Sequence, residues 1–359
     1  MVQTKFLFKP TEDDVSIEAK CDMEPRLKTA EHLAQKILLE VMKFRRVADP
    51  KSSCASSICK KCLEPHIHQV ISAIEEGQPI TFVLPAFPGK SPNLAKVLGT
   101  LPDMAERCSL GFLNGLCEHI QKIYSPGARV VLCSDGRVFN DAIGIRDVDV
   151  TDYQQELSLL IKEMSLSYIS TFNLDDMHSN LDFNQMRDQL MEQYGEPLET
   201  LKDAVRKGSK APCSIENEEI NRQYCGITRF LVEDATHPGQ SLSRTALQKI
   251  CRHRAYIVVQ RSKAWSEFVA QRFPDAVRLS IHPQICGTSK LGIKLIEAES
   301  WMTPWHGVAV NVGERFVLLK RAEAEDLGAQ LVYREGRPSH YELIDNQNFS
   351  KLQGILYGI

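Results

Sequence analysis

Residues 128–141 read Ala-Arg-Val-Val-Leu-Cys-Ser-Asp-Gly-Arg-Val-Phe-Asn-Asp, an apolar run of strand length followed at once by a polar loop. Ile80–Leu84 is a second apolar run of this kind. Further strand candidates are Leu166–Phe172, Tyr256–Val259 and Val277–Ile281. Helix candidates lie between them, at Asp103–Tyr124, Asp152–Glu163, Asn184–Tyr194 and Lys263–Phe273. This alternation predicts an α/β fold, with a mostly parallel sheet and flanking helices on both faces.

The pattern changes toward both ends of the chain. Residues 1–77 predict a helical N-terminal segment, with helices at Thr29–Val47 and Pro65–Glu76. After position 290 the strand candidates follow one another closely, at Gly292–Ile296, Val308–Val312 and Arg315–Leu319. We therefore expect a helical segment (1–77), an α/β core (78–290) and a small β-rich C-terminal lobe packed on the core (291–359). Within the core, the charged stretch 196–219 predicts a surface excursion or a lid.

Composition favours a globular protein with no polyanionic partner. Of the 359 residues 43% are hydrophobic and 25% are charged, and the formal net charge of −3 gives no reason to expect binding to nucleic acid or to an anionic membrane. No apolar stretch approaches the roughly 20 residues that a membrane-spanning helix needs. The eleven cysteines are scattered and odd in number. Together with the lack of a secretory leader, they predict a cytoplasmic protein with reduced thiols.

The loop after the first strand candidate carries Lys90, Ser91 and Asn93. Ser91 before a proline is typical of a helix start, which predicts a short helix at 92–98 with its amides facing the mouth of the sheet. Beside Lys90, such amides would suit a phosphate group. A rigid proline turn with a solvated lysine explains the same residues equally well.

The loop after the second strand candidate carries Asp135, Arg137 and Asp141. Ligands of open α/β sheets bind outside the carboxyl ends of the strands, so this loop and the first mark one crevice. The aspartates suit proton transfer or the orientation of an amine, and the arginine suits phosphate or carboxylate. An ordinary Asp-Gly turn with exposed charges is the alternative.

Two further stretches carry candidate residues. Residues 277–294 hold Arg278, His282, Gln284 and Lys294, and residues 303–308 place Trp305 and His306 at the entry of a strand. Histidine is the side chain best suited to exchange protons near neutral pH. Both histidines also suit purely structural roles, and the tryptophan suits packing at the lobe interface.

An arginine and a group of cysteines complete the candidates. Arg229 lies among apolar neighbours, so we expect it to be partly buried and paired with Glu233 or with a substrate carboxylate. Cys54, Cys59, Cys62 and His66 are close enough in sequence to suggest zinc. Because only Cys59 and Cys62 have the usual spacing, we assign no metal ligand.

Several of these strings, in their order along the chain, resemble the pyoverdine/dityrosine biosynthesis family, the isocyanide synthases. The matching strings span about residues 80–325: Lys90-Ser-Pro-Asn93 with Lys96-Val-Leu-Gly99 and Leu101-Pro-Asp103, Pro126-Gly127, Ser134-Asp-Gly136 with Val138-Phe139, Arg278-Leu-Ser-Ile-His-Pro-Gln284, Thr303-Pro-Trp-His306 and Lys320-Arg321. The resemblance implies a Rossmann-like core without a dinucleotide, which agrees with the lack of a G-x-G-x-x-G motif.

The resemblance also implies a reaction. The amine of a free L-amino acid, of the tyrosine, tryptophan or valine type, would condense with the C2 ketone of ribulose 5-phosphate, and C2 would remain as the isonitrile carbon. No organic cofactor is expected, and a separate Fe(II)/2-oxoglutarate dioxygenase would act on the product in secondary metabolism. In this scheme His306, His282 and Asp135 are the catalytic candidates. The phosphate candidates are Lys90, Ser91, Asn93, Arg137 and Lys294, and the substrate-binding candidates are Arg229, Arg278, Gln284, Trp305 and Asp141.

Two other functions fit parts of the sequence. A sugar-phosphate isomerase or lyase would use the same anion site without any amino acid. A non-catalytic interaction module would be organised by zinc at residues 54–68. Product formation that depends on both the amino acid and the sugar phosphate separates the first function from these two.

Overall fold

A computed structural model describes residues 28–178, 180–237, 239–298, 302–313, 315–344 and 349–357. The first 27 residues of the expected N-terminal segment, and the expectation about a leader there, lie outside this description. No helix in these ranges is both long enough and apolar enough to cross a membrane.

The described N-terminal residues are helical, as expected. Residues 28–42 form α1, followed by α2 (Ser53–Ser56) and α3 (Lys60–Glu75). α1 is amphipathic, because Ile37, Leu38, Val41 and Met42 recur on one side and are fully buried. These side chains join the larger hydrophobic core, so the N-terminal helices are part of the packed protein.

The centre of the protein is a five-stranded parallel sheet. Its strands are β1 (Ile80–Leu84), β2 (Ala128–Cys133), β3 (Ile169–Phe172), β4 (Val277–Ser280) and β5 (Leu291–Gly292). Their spatial order is β3-β2-β1-β4-β5, and every neighbouring pair is parallel. Because all five strands run the same way, all their carboxyl ends meet at one edge. The expected α/β sheet is therefore confirmed.

Helices cover both faces of this sheet. They are α4 (Met104–Ile123), α5 (Gly136–Ile143), α6 (Asp147–Glu163), α7 (Phe183–Tyr194), α8 (Leu198–Gly208), α9 (Ile215–Ala235) and α10 (Arg244–Arg272), with a 3₁₀ turn at Leu174–Asp176. Successive side chains of β1 point to opposite faces of the sheet. Phe82 and Leu84 pack in a hydrophobic cluster with α1, α4 and α6, whereas Val83 packs in one with α5, α7 and α10. The sheet is thus buried on both sides, as its apolar strands require.

Two expectations for this region are wrong. Tyr256–Val259 is not a strand but a part of α10, whose residues are buried on several sides because it packs on α5, α7, α8 and α9. Residues 92–98 form turns and not a helix. The stretch 196–219, expected to be a surface excursion or a lid, contains α8 and the start of α9, which pack together through Leu201, Val205 and Ile220.

The C-terminal part contains a second, smaller sheet. Its strands are β6 (Val308–Asn311), β7 (Phe316–Leu319), β8 (Gln330–Arg334) and β9 (Arg337–Glu342), in the order β7-β6-β9-β8 with mixed directions. The helices α11 (Arg321–Asp326) and α12 (Phe349–Tyr357) accompany them. The expected β-rich region is present. Of the strand expected at 292–296, only Gly292 lies in a strand, and that strand is β5 of the larger sheet, which pairs with β4.

Candidate active site

The candidate site lies at the edge where the parallel strands end. The loops after β1, β2 and β4 begin there, which is where ligands of α/β sheets bind. The segment 303–306 comes to the same edge from the C-terminal part of the chain. It is held by the β1 loop, because Ser91 N donates to Trp305 O at 2.9 Å and Lys90 Nζ donates to Pro304 O at 3.0 Å.

Lys90 is an internal anchor. Its side chain is completely buried, and Nζ lies 2.8 Å from Asp103 Oδ2 and 2.7 Å from Glu106 Oε2. Burial alone would lower the pKa of Lys90, but the two carboxylates outweigh it and raise the pKa above its usual value. The three N–H groups of the ammonium therefore point to Asp103, Glu106 and Pro304 O. This geometry does not support the predicted phosphate contact of Lys90.

Ser91 and Asn93 hold the end of α9. Ser91 Oγ donates to Asp234 Oδ1 at 2.8 Å, and Asn93 Nδ2 donates to the carbonyls of Glu233 and Thr236 at 3.1 Å each. The side chains of Ser91 and Asn93 also accept from the amides of Asn93 and Ala95, which closes turns where a helix was expected. The anion site at a helix N-terminus is therefore not formed here.

His306 is the most distinctive side chain of the site. Its ring is stacked on Phe230 of α9, and Nδ1 lies 3.8 Å from Asp234 Oδ1. This nitrogen is buried and makes no hydrogen bond within the described residues. Burial lowers the pKa of His306 to about 4, although Asp234 raises it and Lys96 lowers it further. At neutral pH the ring is therefore uncharged.

Asp234 connects His306 to the loop after β1. This nearly buried carboxylate on α9 accepts from Ser91 Oγ and is paired with Lys96 Nζ. Lys96 also lies 5.7 Å from the centroid of the Phe230 ring. A proton gained by His306 would be stabilised by the carboxylate 3.8 Å away. Sequence reasoning missed Asp234, because it lies within a helix and belongs to no recognised motif.

Trp305, the neighbour of His306, is part of the core. It is 3% exposed and meets Phe87 edge to face, with ring centroids 5.3 Å apart. Phe87 has a φ of +60°, in the left-handed region that is costly for a residue with a side chain. The carbonyl of Phe87 accepts from Ser134 Oγ and Gln154 Nε2, which hold it in this conformation. The geometry favours packing for Trp305 over the predicted contact with substrate.

Asp135 lies at the start of α5, directly after β2. Its Oδ1 is buried and has no hydrogen-bond partner in the described part of the chain. Burial raises the pKa of this carboxyl to about 7, so it exchanges its proton near neutral pH. The next residue must be glycine, because a Cβ on Gly136 would lie 2.0 Å from Pro88 O. This close approach places Asp135 beside the β1 loop.

Arg137 and Asp141, on the same helix, connect α5 to its neighbours. Arg137 Nε lies 3.0 Å from Asp175 Oδ1, and its guanidinium stacks on the Phe183 ring at 4.6 Å. Asp141 Oδ1 is 2.6 Å from Arg261 Nη1 and 3.5 Å from Arg187 Nη1. These ion pairs give both residues structural partners, so neither is shown to be available to a ligand.

The loop between β4 and β5 carries a second group of ionisable residues. Burial lowers the pKa of His282 to about 4, and the nearby charges of Lys290 and Arg46 lower it as well. Burial also lowers the pKa of Lys290 to about 8, Arg278 adds to this shift, and Glu219 opposes it. His282 follows β4 at its carboxyl end, whereas the β4–β5 register places Lys290 beside Arg278, before β5 begins. Lys290 and Arg46 were not candidates from sequence, since neither belongs to a local motif.

The other candidates have the following places. Arg278 Nη2 donates to Ser266 O at 2.9 Å and so holds β4 to α10, while burial lowers the pKa of Arg278. Gln284 Nε2 donates to Ser280 Oγ and His282 O within its own loop. Lys294 is half-buried, and its amide donates to Phe44 O. The expected burial of Arg229 is wrong: it is exposed, because the inner face of α9 is formed by Ile220, Leu231 and Asp234.

The cysteine group also differs from the one expected. The sulfurs of Cys54, Cys59 and Cys62 meet that of Cys286 in the loop between β4 and β5, and all four lie within 4.8 Å of one another. His66 is buried but does not belong to this group. Sequence spacing could not identify Cys286, which follows Cys62 by 224 residues.

A cleft of about 380 Å³ lies elsewhere, between α8, α9 and α10. Its lining is mostly charged and includes Glu199, Asp203, Lys207, Glu216 and Lys263. None of the candidates from sequence lines it. We therefore place the site at the strand ends, where the titratable residues converge, and not in this cleft.

Comparison with known proteins shows which family the chain resembles. The sequence profile of the family described as "Pyoverdine/dityrosine biosynthesis protein" matches residues 70–332. An L-tryptophan isonitrile synthase, AmbI2 of Fischerella ambigua, is 44% identical over 310 residues, which cover 86% of this chain and 91% of the relative. An L-tyrosine isonitrile synthase of Pseudomonas aeruginosa is 44% identical over 318 residues, or 87% of this chain and 94% of that one.

A solved structure is similar as well. The crystal structure of the PvcA protein from Pseudomonas aeruginosa matches with a TM-score of 0.79 at 44% identity, covering 87% of this chain and 99% of PvcA. The chain belongs to the pyoverdine/dityrosine biosynthesis family, which confirms the resemblance of its motifs. Within this family it is an enzyme of the isocyanide synthase class, since the relatives that it matches over almost their whole length are isonitrile synthases.

Proposed function

We propose that this isocyanide synthase converts the amine of a free aromatic L-amino acid, tryptophan or tyrosine, into an isonitrile, with ribulose 5-phosphate supplying the isonitrile carbon. The convergence of His306, His282 and Asp135 at the carboxyl ends of the parallel strands carries this proposal. The names of the two 44%-identical synthases, one acting on tryptophan and one on tyrosine, support an aromatic substrate.

The first step is the attack of the amine on the C2 ketone of the sugar. The substrate ammonium must first lose a proton, and the neutral imidazole of His306 accepts it. As the carbon–nitrogen bond forms, the ketone oxygen takes the proton of the Asp135 carboxyl, and the nitrogen then returns one of its protons to the Asp135 carboxylate. The product of this step is a carbinolamine.

Loss of water from the carbinolamine follows. Its hydroxyl leaves as water after it gains a proton, and the nitrogen lone pair forms the carbon–nitrogen double bond. An acid with a pKa of about 7, such as Asp135, suits this step near neutral pH. The carbons that flank C2 leave afterwards, while C2 stays on nitrogen as the isonitrile carbon.

Both substrates carry anionic groups, which need cations. Lys290 and Arg46 provide positive charge near His282. We assign the phosphate to Lys290, because burial has already removed much of the water from its ammonium, so an anion gains more from pairing with it. A bound phosphate dianion would also raise the lowered pKa values of Lys290 and His282. The product then passes to a separate Fe(II)/2-oxoglutarate dioxygenase in secondary metabolism.

The decisive experiment uses ribulose 5-phosphate labelled with carbon-13 at C2. The dialysed enzyme is incubated with this sugar and a mixture of amino acids, and isonitriles are trapped with a tetrazine and identified by mass. We expect an adduct of tryptophan or tyrosine that contains the label, without any nicotinamide, flavin or pyridoxal cofactor. Consumption of the sugar phosphate without an amino acid would instead indicate an isomerase or lyase, and an unlabelled isonitrile would exclude this carbon donor.

A further inference from the structure

Four cysteine sulfurs form a compact group beside the candidate site. Cys59 Sγ lies 3.4 Å from Cys54 Sγ, 3.7 Å from Cys62 Sγ and 3.4 Å from Cys286 Sγ. Cys62 Sγ and Cys286 Sγ are also 3.4 Å apart. We propose that these four thiolates bind one Zn²⁺ ion as a tetrahedral site.

The distances favour a single ion. Zinc–sulfur bonds of about 2.3 Å at tetrahedral angles place the sulfurs about 3.8 Å apart. The four separations given above, from 3.4 to 3.7 Å, lie close to this value. A disulfide would require about 2.05 Å between two of the sulfurs. A cluster of several irons would hold its cysteines further apart than a mononuclear ion does.

The polypeptide around the sulfurs is ordered by local contacts. Cys59 is the N-cap of α3, and Cys62 N donates to Cys59 O at 3.0 Å, so the Cys-x-x-Cys pair sits on the first turn of a helix. The amides and dipole of a helix N-terminus favour negative charge, as on a thiolate. The guanidinium of Arg45 donates to the carbonyls of Cys54 and Ala55, which fixes the position of α2.

All four positions of the ion would be occupied by protein ligands. A zinc site with four protein ligands is structural, because catalytic zinc keeps one position for water or substrate. The ion would connect the segment containing α2 and α3 to the loop between β4 and β5, which Cys286 contributes. Three of the ligands precede residue 70, where the match to the family profile begins.

The connection bears on the candidate active site, and this part of the inference rests on the proposed function. Cys286 lies in the loop that also carries His282 and Lys290. The backbone of this loop already pairs with residues 46–48, since Gln284 N donates to Arg46 O and Ala48 N donates to Gln284 O. A metal at Cys286 would fix the loop at a second point. The ion thereby sets the positions of His282 and Lys290 without touching the substrate.

Metal analysis of the intact protein tests the site. The chain is produced with zinc in the medium, purified without chelators or metal-affinity resin, and analysed by inductively coupled plasma mass spectrometry. We expect one zinc per chain in the wild type and in Cys225→Ser, whose thiol is exposed and lies outside the group. Cys59→Ser and Cys286→Ser should lose the zinc and unfold at lower temperature.

A second measurement covers the case in which these variants fail to fold. Native wild-type protein is titrated with a mercurial reagent beside a zinc-sensitive dye, and release of one zinc as the thiols react supports the site. Replacement by Co²⁺ should give the thiolate charge-transfer and tetrahedral d–d bands. Wild-type protein without zinc, with the four thiols either freely reactive or joined in disulfides, would overturn the proposal. Zinc bound to a protein that makes no isonitrile would refute the proposed function and leave the metal site standing.

Discussion

The imidazole of His306 lies parallel to the phenyl ring of Phe230, with centroids 4.7 Å apart and planes 7° from parallel. The stack covers one face of the imidazole and fixes its orientation, because Phe230 belongs to α9 and Ser91 and Asn93 bind the end of that helix. An aromatic neighbour shields the ring from water and so disfavours its charged form. His306 is thus held as a neutral base with Nδ1 directed toward Asp234.

We expect His306→Gln to lower kcat by about 10²–10⁴-fold, the usual contribution of a general acid or base. Glutamine keeps hydrogen-bonding capacity but has no group that titrates. The measurement is isonitrile formation under saturating substrates, with circular dichroism as the check on folding. His282→Gln is the matched control. If that variant loses activity while His306→Gln keeps it, His282 is the base.

Asp135 is expected to determine how the rate of isonitrile formation changes at alkaline pH. Because burial raises its pKa to about 7, the carboxyl is protonated below that pH and loses its acid function as the pH rises through it. The rate should therefore fall above about pH 7. In Asp135→Asn this decrease above pH 7 should be absent, and most of kcat should be lost. Asp141→Asn, which alters a carboxylate paired with Arg261, should still show the decrease above pH 7.

Lys90→Met should reduce stability and not substrate affinity. The substitution leaves the buried Asp103 and Glu106 without their cation, and breaking a buried ion pair costs about 3–5 kcal/mol. Denaturant unfolding measures this loss. Adding Glu106→Gln to the variant should restore part of it, since one unpaired carboxylate is removed. A raised KM for the sugar phosphate at unchanged stability would instead indicate that Lys90 binds the phosphate.

Lys290→Met is expected to raise the KM for the sugar phosphate by about tenfold or more, as loss of a charge-assisted contact costs about 1.5–3 kcal/mol. The KM for the amino acid should change much less. Lys294→Met provides the comparison, because sequence motifs favoured Lys294 for this role. If Lys294→Met has the larger effect on the sugar phosphate, the assignment to Lys290 is wrong.

His66 should make folding sensitive to acid. Burial lowers its pKa from 6.5 to about 4, so between these values the unfolded chain binds a proton that the folded protein does not. The free energy of unfolding then falls as the pH drops from about 6.5 to about 4. Urea unfolding at several pH values measures how steeply the free energy of unfolding depends on pH. In His66→Gln this dependence should correspond to fewer protons, by up to one, than in the wild type. An unchanged slope would mean that the ring titrates normally in the folded protein.

Much of the sheet was predictable from sequence, because β1, β2 and β4 are short apolar runs that give way to polar or proline-containing loops. The wrong strand at Tyr256–Val259 shows the limit of this reasoning. A short apolar run fits a buried strand or a buried helix equally well, and α10 buries side chains against several helices, which weakens its periodicity. The helical conformation of residues 256–259 therefore depends on long-range packing and not on their local pattern.

The candidate site was predictable only where a residue follows a strand or lies in a matching motif, as do Asp135, His282 and His306. Asp234 and Lys290 have no such signal, since they reach the site through the packing of α9 and through a long loop. Lys90 was found, but its ion pairs with Asp103 and Glu106 were not foreseen. Its partners Asp103 and Glu106 cap the next helix, and nothing local shows that their carboxylates turn toward the ammonium.

The buried ammonium of Lys90 also bears on how related sequences diverge. With two carboxylates and a carbonyl around one cation, position 90 cannot lose its charge while positions 103 and 106 keep theirs without leaving an unpaired charge in the interior. We expect relatives to keep all three residues or to replace them together by uncharged ones. A change at position 90 alone, such as Lys90→Leu, would then be tolerated only in a background that had already lost the two carboxylates.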